Sequence, residues 1–328
     1  MDASGGFGEI ARASRFVFDA VRARVEAKRA SDVATLSTPL GASAVEFDDV
    51  RYAVNTLSGD TDGDALEVSV GAPKGAWDAA RGRADVEALV ASAGTISMNE
   101  TPSAGYDVTV RVDVKALAAI DEEDKRTMVL RKVAMVRCAA YGTKLRSHLR
   151  SLRETGGTEG GLDWFERRPG EVMFIKPQSE QVTVIFPMRF SNSQDAVIAT
   201  QFLTQFAEVR RGQKELSTAP AVSYLKSAPL ELKESPDGMR GALDVNGGFI
   251  SFVLFKRHVS ADRLEDTVWN IMTFPAFVSY HIKYSKAYWH SRMRSKVESW
   301  LSILKRAKKV DPNAKKMTTA SGRTFIRK

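Results

Sequence analysis

The chain has 328 residues, 43% of them hydrophobic, enough to fill more than one core and too many for a wholly disordered chain. It has no run of 18 apolar residues, so no membrane span is expected, and its single cysteine, Cys138, excludes an intramolecular disulfide. The net charge of +8 is unevenly placed: His281 to Lys328 holds 14 Lys or Arg against Glu298 and Asp311, a net of +12, which leaves −4 for the rest. Such a concentration predicts an acidic partner: nucleic acid, an anionic membrane or an acidic protein surface. The N-terminus lacks a charged start followed by an apolar run, so no secretory signal is visible. With the lone cysteine this points to a reducing, intracellular compartment.

Glu9 to Ala30 carries Ile10, Phe16, Val17, Val21 and Val25 at mixed spacings of 3 and 4, which predicts a helix. Val45 to Leu57 and Ala65 to Val70 alternate as strands, joined by the turn chemistry of SGDTDGD. The DTDGD core resembles part of a calcium loop but lacks the closing glutamate at the required spacing, so turn chemistry is the better reading. Pro73 to Ser92 reads as helix with a break at Gly82. Thr95 to Met98 and Tyr106 to Val114 read as strands, and Asp121 to Arg153 as one helix with an acidic first turn. The GGTEGG run at 156–161 follows a helix, where a phosphate cradle would follow a strand, and reads as a linker or flexible loop.

The second half repeats the order. Glu171 to Lys176 and Gln181 to Phe190 are strands; Asp195 to Arg211 is a helix with Val197, Ile198, Phe202, Leu203 and Phe206 inward. Ala221 to Lys226 and Phe249 to His258 are strands, and the Pro- and Gly-bearing segment between them is a loop. Each half therefore reads strand–strand–helix–strand–strand–helix. This predicts an α+β chain of two units, each an antiparallel sheet with helices on one face. The divisions are a helix or extension at 1–42, domains at 43–155 and 171–260, the glycine-rich loop at 156–170, a long helix at 261–310 and a basic tail at 311–328.

The long helix organises the rest. Pro275, which lacks an amide donor, predicts a kink or restart within it. At 100° per residue Val278, Ile282, Trp289, Met293, Trp300, Ile303, Leu304 and Ala307 share one stripe. A basic stripe of Lys283, Lys286, His290, Arg294, Lys305 and Lys308 lies beside it, and Phe277, Tyr284 and Tyr288 form an aromatic row on the other flank. A core helix needs one apolar stripe; bulky side chains on two faces suggest contact with more than one body.

Catalytic signatures are missing. There is no G-x-S-x-G, no Walker-type loop and no H-E-x-x-H. Among the four histidines, His148, His258, His281 and His290, the last two diverge on the helix rather than chelate. Cys138 sits among apolar neighbours as a structural thiol. Asp48–Asp49 and Glu122–Glu123 fall at a turn and a helix start, where structure accounts for them. No catalytic residue, cofactor or metal site is expected.

YHIKYSKAYWHSRMRSK at 280–296, followed by LKRAKK and the terminal SGRTFIRK, resembles subunit 2 of the actin-related protein 2/3 complex. FVLFKRH (252–258), APLELK (228–233), QVTVIF (181–186) and AGYDVTV (104–110) resemble segments of the same family in the same order. The resemblance covers residues 43–328 and is weakest in the helices of the first half.

The resemblance implies two similar α/β domains and a long helix packed antiparallel on its counterpart in subunit 4. It implies a non-catalytic scaffold that holds the two actin-related proteins and contacts the mother filament during branched nucleation. The other subunits of the complex are further partners, and the location is the cytoplasm and its actin-rich structures.

Val278, Ile282, Trp289, Met293, Trp300 and Leu304 are then the candidates for partner-helix packing. Arg292, Arg294, Lys296, Lys305, Lys308, Lys309, Lys315, Lys316 and Arg323 are candidates for filament contact, chosen by charge. The competing reading is a basic-helix nucleic-acid-binding protein, with phosphate contact from the basic stripe and stacking from Tyr and Trp. Against it, the aromatics share faces with aliphatic side chains and no recognition module is visible.

Overall fold

The structure is a computed structural model that describes residues 11–307 except 47–48, 74–75, 92, 169 and 236, together with 316–318 and 324–326. One compact unit runs to His281 and a second begins at Ile282. The class is α+β: two antiparallel five-stranded sheets with helices, and a long C-terminal helix.

In the first half, α1 (Arg15–Arg29) is capped by Ser14, whose hydroxyl accepts from the Val17 amide, and buries Val17, Val21 and Val25. The short α2 (Val33–Ser37) leads into β1 (Gly41–Val45), β2 (Arg51–Thr56) and β3 (Ala65–Gly71). After α3 (Ala79–Ala91) come β4 (Ile96–Met98) and β5 (Val108–Asp113), giving the sheet order β1-β2-β3-β5-β4. The sheet is followed by α4 (Val114–Ala118), α5 (Glu123–Ala134), α6 (Val136–Tyr141) and α7 (Thr143–Thr155). The single helix expected over 121–153 is thus three, broken at Met135 and Gly142.

The second sheet repeats the plan with β6 (Asp163–Arg168), β7 (Glu171–Gln178), β8 (Gln181–Pro187), α8 (Ser193–Gly212) and β9 (Ala221–Leu225). The short α9 (Arg240–Leu243), β10 (Phe249–Phe255) and α10 (Leu264–Arg306) follow, and the strand order is β6-β7-β8-β10-β9. Each sheet therefore has a fifth, leading edge strand that strand-by-strand reading of the sequence missed. β6 falls inside the stretch read as a glycine-rich loop. The GGTEGG run before it is not a loose linker: Gly156 ends α7 in the left-handed conformation, and a Cβ on Gly157 would meet the Gln178 carbonyl oxygen at 2.8 Å.

The sheets are also covered more fully than expected. An antiparallel sheet with one wet face alternates buried and exposed residues, yet β8 is buried from Val182 to Pro187. The segment read as a plain loop before β10 explains this. It carries Leu232 and Ala242 onto Val172, Phe174, Ile185 and Phe249 on one face. Aromatic rings close the other: Phe274 of α10 lies 4.8 Å from Phe252 and 5.5 Å from Phe206 of α8. On α8 the inward set is Ala196, Ala199, Leu203 and Ala207, whereas Val197, expected inward, is 70% exposed.

Polar groups knit the two sheets into one unit. Asp49, in the turn between β1 and β2, accepts from Arg167 at 2.6 Å and also pairs with Arg168, both on β6. Tyr141 of α6 meets Phe165 of β6 and Trp269 of α10 edge-on at 6.4 and 6.3 Å. In the DTDGD turn, the Asp60 carboxylate accepts from the Asp62, Asp64 and Ala65 amides. The Lys28 ammonium meets the Asp62 carbonyl at 2.8 Å and the Asp64 carboxylate at 2.5 Å, so a lysine supplies the positive charge at these oxygens. Asp48 lies outside the described residues.

Candidate partner interface

The 43 residues of α10 span about 64 Å at the helical rise of 1.5 Å per residue. Glu265 and Asp266 sit in the first turn and Lys305 and Arg306 in the last, each sign where the helix dipole favours it. The helix runs through Pro275 without the break its missing amide predicts. A proline inside a helix costs roughly 3 kcal/mol. Here Phe274, Ala276 and Val278 on either side are all buried, and their packing outweighs that local cost.

Burial divides the helix lengthwise. From Leu264 to Ile282 it supplies Val268, Trp269, Ile271, Met272, Phe274, Ala276, Val278 and Ile282 as buried side chains. From Ala287 to Ala307 every residue is exposed. The six partner-packing candidates split accordingly. Val278 is fully buried and Ile282 nearly so. Trp289, Met293, Trp300 and Leu304 are between 59% and 66% exposed.

Three neighbours complete the exposed stripe. Ile303 lies within it, and Val297 and Leu301, which the helical wheel had not singled out, border it; all three are at least half exposed. The steps 289, 293, 297, 300, 301 and 304 follow the helical period, so the two overlooked residues were legible from spacing alone. Burying seven large apolar side chains against a partner is worth on the order of 10 kcal/mol gross, before the costs of association.

The basic candidates do not share one face. At 100° per residue Arg294 and Lys305 fall together with His290 beside the apolar stripe. Lys296 falls within the stripe, between Met293 and Trp300. Arg292 lies on the opposite flank with its guanidinium 5.8 Å from the Tyr288 ring. Lys316 opens a short strand, Lys316–Thr318, paired with Thr324–Ile326. Its side chain, like Lys308, Lys309, Lys315 and Arg323, lies outside the described residues.

Cys138 is buried, and burial pushes its thiol up to about 12, against the opposing pull of Arg137, Arg146 and Arg12. Among the described residues no group of His, Cys, Asp and Glu could hold a metal ion, and no helix is long and apolar enough to cross a membrane.

A paired-sheet body and a long helix with an exposed apolar stripe define an assembly subunit, whose working surface is for other chains. The family model described as "Arp2/3 complex, 34 kD subunit p34-Arc" matches residues 78–311. Over 282 residues the chain is 37% identical to actin-related protein 2/3 complex subunit 2A of Arabidopsis thaliana, covering 81% of this chain and 82% of that one. It is 31% identical to subunit 2 of Schizosaccharomyces pombe, over 69% of this chain and 74% of the relative. It is also 31% identical to Arabidopsis subunit 2B, over 64% of this chain and 55% of the relative. The chain belongs to the p34-Arc family, the 34 kD subunit of the Arp2/3 complex. It is a non-catalytic, scaffold-type subunit of the actin-nucleating cytoskeletal machinery.

Proposed function

We propose that this chain pairs with subunit 4 of the actin-related protein 2/3 complex through the exposed length of α10, holds the two actin-related proteins, and contacts the mother filament during branched nucleation. The observation that carries the reading is the run of exposed apolar side chains from Trp289 to Leu304 on one side of a helix. A patch of that kind on a soluble surface marks an interaction site. A helix of like length, laid antiparallel, covers the stripe, and Lys296 lies along the seam.

Filament contact falls to the basic side chains. Arg294 and Lys305 flank the stripe, Arg292 lies across the helix, and Lys308, Lys309, Lys315, Lys316 and Arg323 extend the positive charge into the tail. Rim charges of this kind set on-rate and salt dependence more than final structure. The location that follows is the cytoplasm, at actin-rich structures.

Co-expression with subunit 4 tests the pairing. Changing Trp289, Met293, Trp300 and Leu304 together to serine is expected to abolish co-purification, while Glu298→Ser on the opposite side leaves it intact. Equal recovery of subunit 4 with the fourfold variant contradicts the pairing. Filament co-sedimentation of the assembled complex tests the charges: Arg294→Glu, Lys305→Glu and Lys308→Glu together are expected to weaken it, and unchanged co-sedimentation removes these residues from the filament contact.

A further inference from the structure

Between α8 and the first turns of α10, over the β9–β10 edge of the second sheet, lies an open-mouthed cavity of about 360 Å³. Its apolar walls include Phe206 and Val209 of α8, Val222 of β9, Phe252 of β10, and Ile271 and Phe274 of α10. Protein interiors fill such space with side chains. The volume falls in the range of pockets that hold small ligands and corresponds to about a dozen water molecules at liquid density.

One cation lines it, Arg210. Its Nε donates to the Pro220 carbonyl at 2.8 Å and its Nη2 to the Ala219 carbonyl at 2.6 Å. These carbonyls fix the guanidinium without neutralising it. No carboxylate among the described residues pairs with Arg210, and its Nη1 makes no hydrogen bond among them. The local field reflects this excess charge: burial, then the positive charges of Arg257 and Arg210, hold His258 below its ordinary range. Among the described residues no acid pairs with His258 or Arg210.

We propose that this cavity binds a small amphipathic carboxylate. Its hydrocarbon or aromatic body lies among Phe206, Phe252 and Phe274, and its carboxylate accepts from Nη1 of Arg210. The apolar walls reject a wholly polar ligand, because its desolvation goes uncompensated. The fixed guanidinium favours an anion over a neutral analogue of the same shape, through a charge-assisted hydrogen bond. The volume limits the body to about a dozen non-hydrogen atoms, the size of a medium-chain fatty acid. This site is separate from the exposed stripe of α10 and does not rest on the pairing proposed above.

The test is ligand-observed NMR titration of the assembled complex with decanoate, below its micelle concentration, with decanol as the neutral comparator. Saturable binding is expected, with decanoate preferred over decanol by roughly tenfold or more. Arg210→Met is expected to erase that preference, and Arg210→Lys to keep most of it. Val209→Trp, at a position 43% exposed at the mouth and so tolerant of a larger side chain, is expected to block both ligands. Thermal unfolding of each variant confirms that it is folded. Absence of saturable binding overturns the proposal. So does equal binding of decanoate and decanol, or decanoate binding that neither Arg210→Met nor Val209→Trp alters, which places the ligand on another subunit.

Discussion

Arg146 and Glu265 are joined by two hydrogen bonds, from Nε at 2.8 Å and from Nη2 at 2.9 Å, in the forked arrangement that suits guanidinium and carboxylate. The pair ties α7 to the first turn of α10. Arg146 also reaches Asp85 of α3 at 3.0 Å and the carbonyls of Cys138 and Ala139. Burial opposes its charge, but Glu265 and Asp85 more than offset that, and its pKa is raised.

Loss of the arginine takes the donor from Glu265 and from the Cys138 and Ala139 carbonyls, and leaves Asp85, whose side chain is 8% exposed, with Arg150 alone at 2.6 Å. Arg146→Leu is expected to cost about 3–5 kcal/mol of stability, the usual range for breaking a buried pair from one side. Glu265→Gln, at a partly exposed position that keeps an acceptor, is expected to cost about 1 kcal/mol. Chemical denaturation followed by circular dichroism measures both, and equal effects of the two variants contradict the account.

Gly142 separates α6 from α7 against α10: a Cβ there would lie 2.5 Å from Cγ1 of Val268. Its φ is an ordinary −83°, so space, not backbone strain, requires glycine. Gly142→Ala is expected to destabilise by about 1–3 kcal/mol through overpacking. The double variant with Val268→Ala is expected to recover part of the loss, and no recovery would show that the contact is not the cause.

Asp163 carries a pH dependence. Burial pushes its carboxyl up, but the hydrogen bond with His148 at 3.0 Å, the Lys144 ammonium at 3.5 Å and the Trp164 amide at 2.8 Å bring it below its ordinary 3.8. A carboxylate with a lowered folded pKa contributes stability that is present above the unfolded value and lost as pH falls through the folded one. Asp163→Asn is therefore expected to be less stable than wild type at neutral pH, with the gap closing as pH falls below about 4. Urea midpoints across that range measure it; a gap that stays constant contradicts the assignment.

Cys138 is expected to be inert. Its thiol is buried and raised to about 12, so little thiolate forms at neutral pH. Native protein is expected to resist iodoacetamide at Cys138 and to react once unfolded, as peptide mass spectrometry reads. Rapid labelling of the native chain would mean that the site opens.

The parts of this account that were legible in the sequence are those set by local pattern. The central strands declared themselves by β-branched runs such as Val182 to Ile185, and the apolar stripe of α10 by its helical period. The edge strands did not. β1 reads GASAV and its burial alternates only weakly, while β6 reads DWFERR behind a glycine run, so neither carries the buried run of a central strand. Pro275 misled for the opposite reason: its local signal is strong, and the packing of Phe274 and Val278 overrides it. Val278 and Ile282 continue the stripe of Trp289 and Trp300 in the sequence, yet they are buried and the tryptophans are not. Period says which residues share a face; it cannot say where along a helix the fold stops covering it. Arg146, with partners 61 and 119 residues away, and the cavity beside Arg210 arise only from tertiary contact.

The central claim is that the exposed stripe of α10 is covered by a partner. Thiol labelling within the assembled complex tests it most directly. Met293→Cys places a probe in the stripe and Glu298→Cys one on the opposite side of the helix, each read by mass spectrometry of its own peptide. The account predicts that the thiol at 293 is protected in the complex while the thiol at 298 labels readily. Equal, rapid labelling at both positions in the intact complex would contradict it.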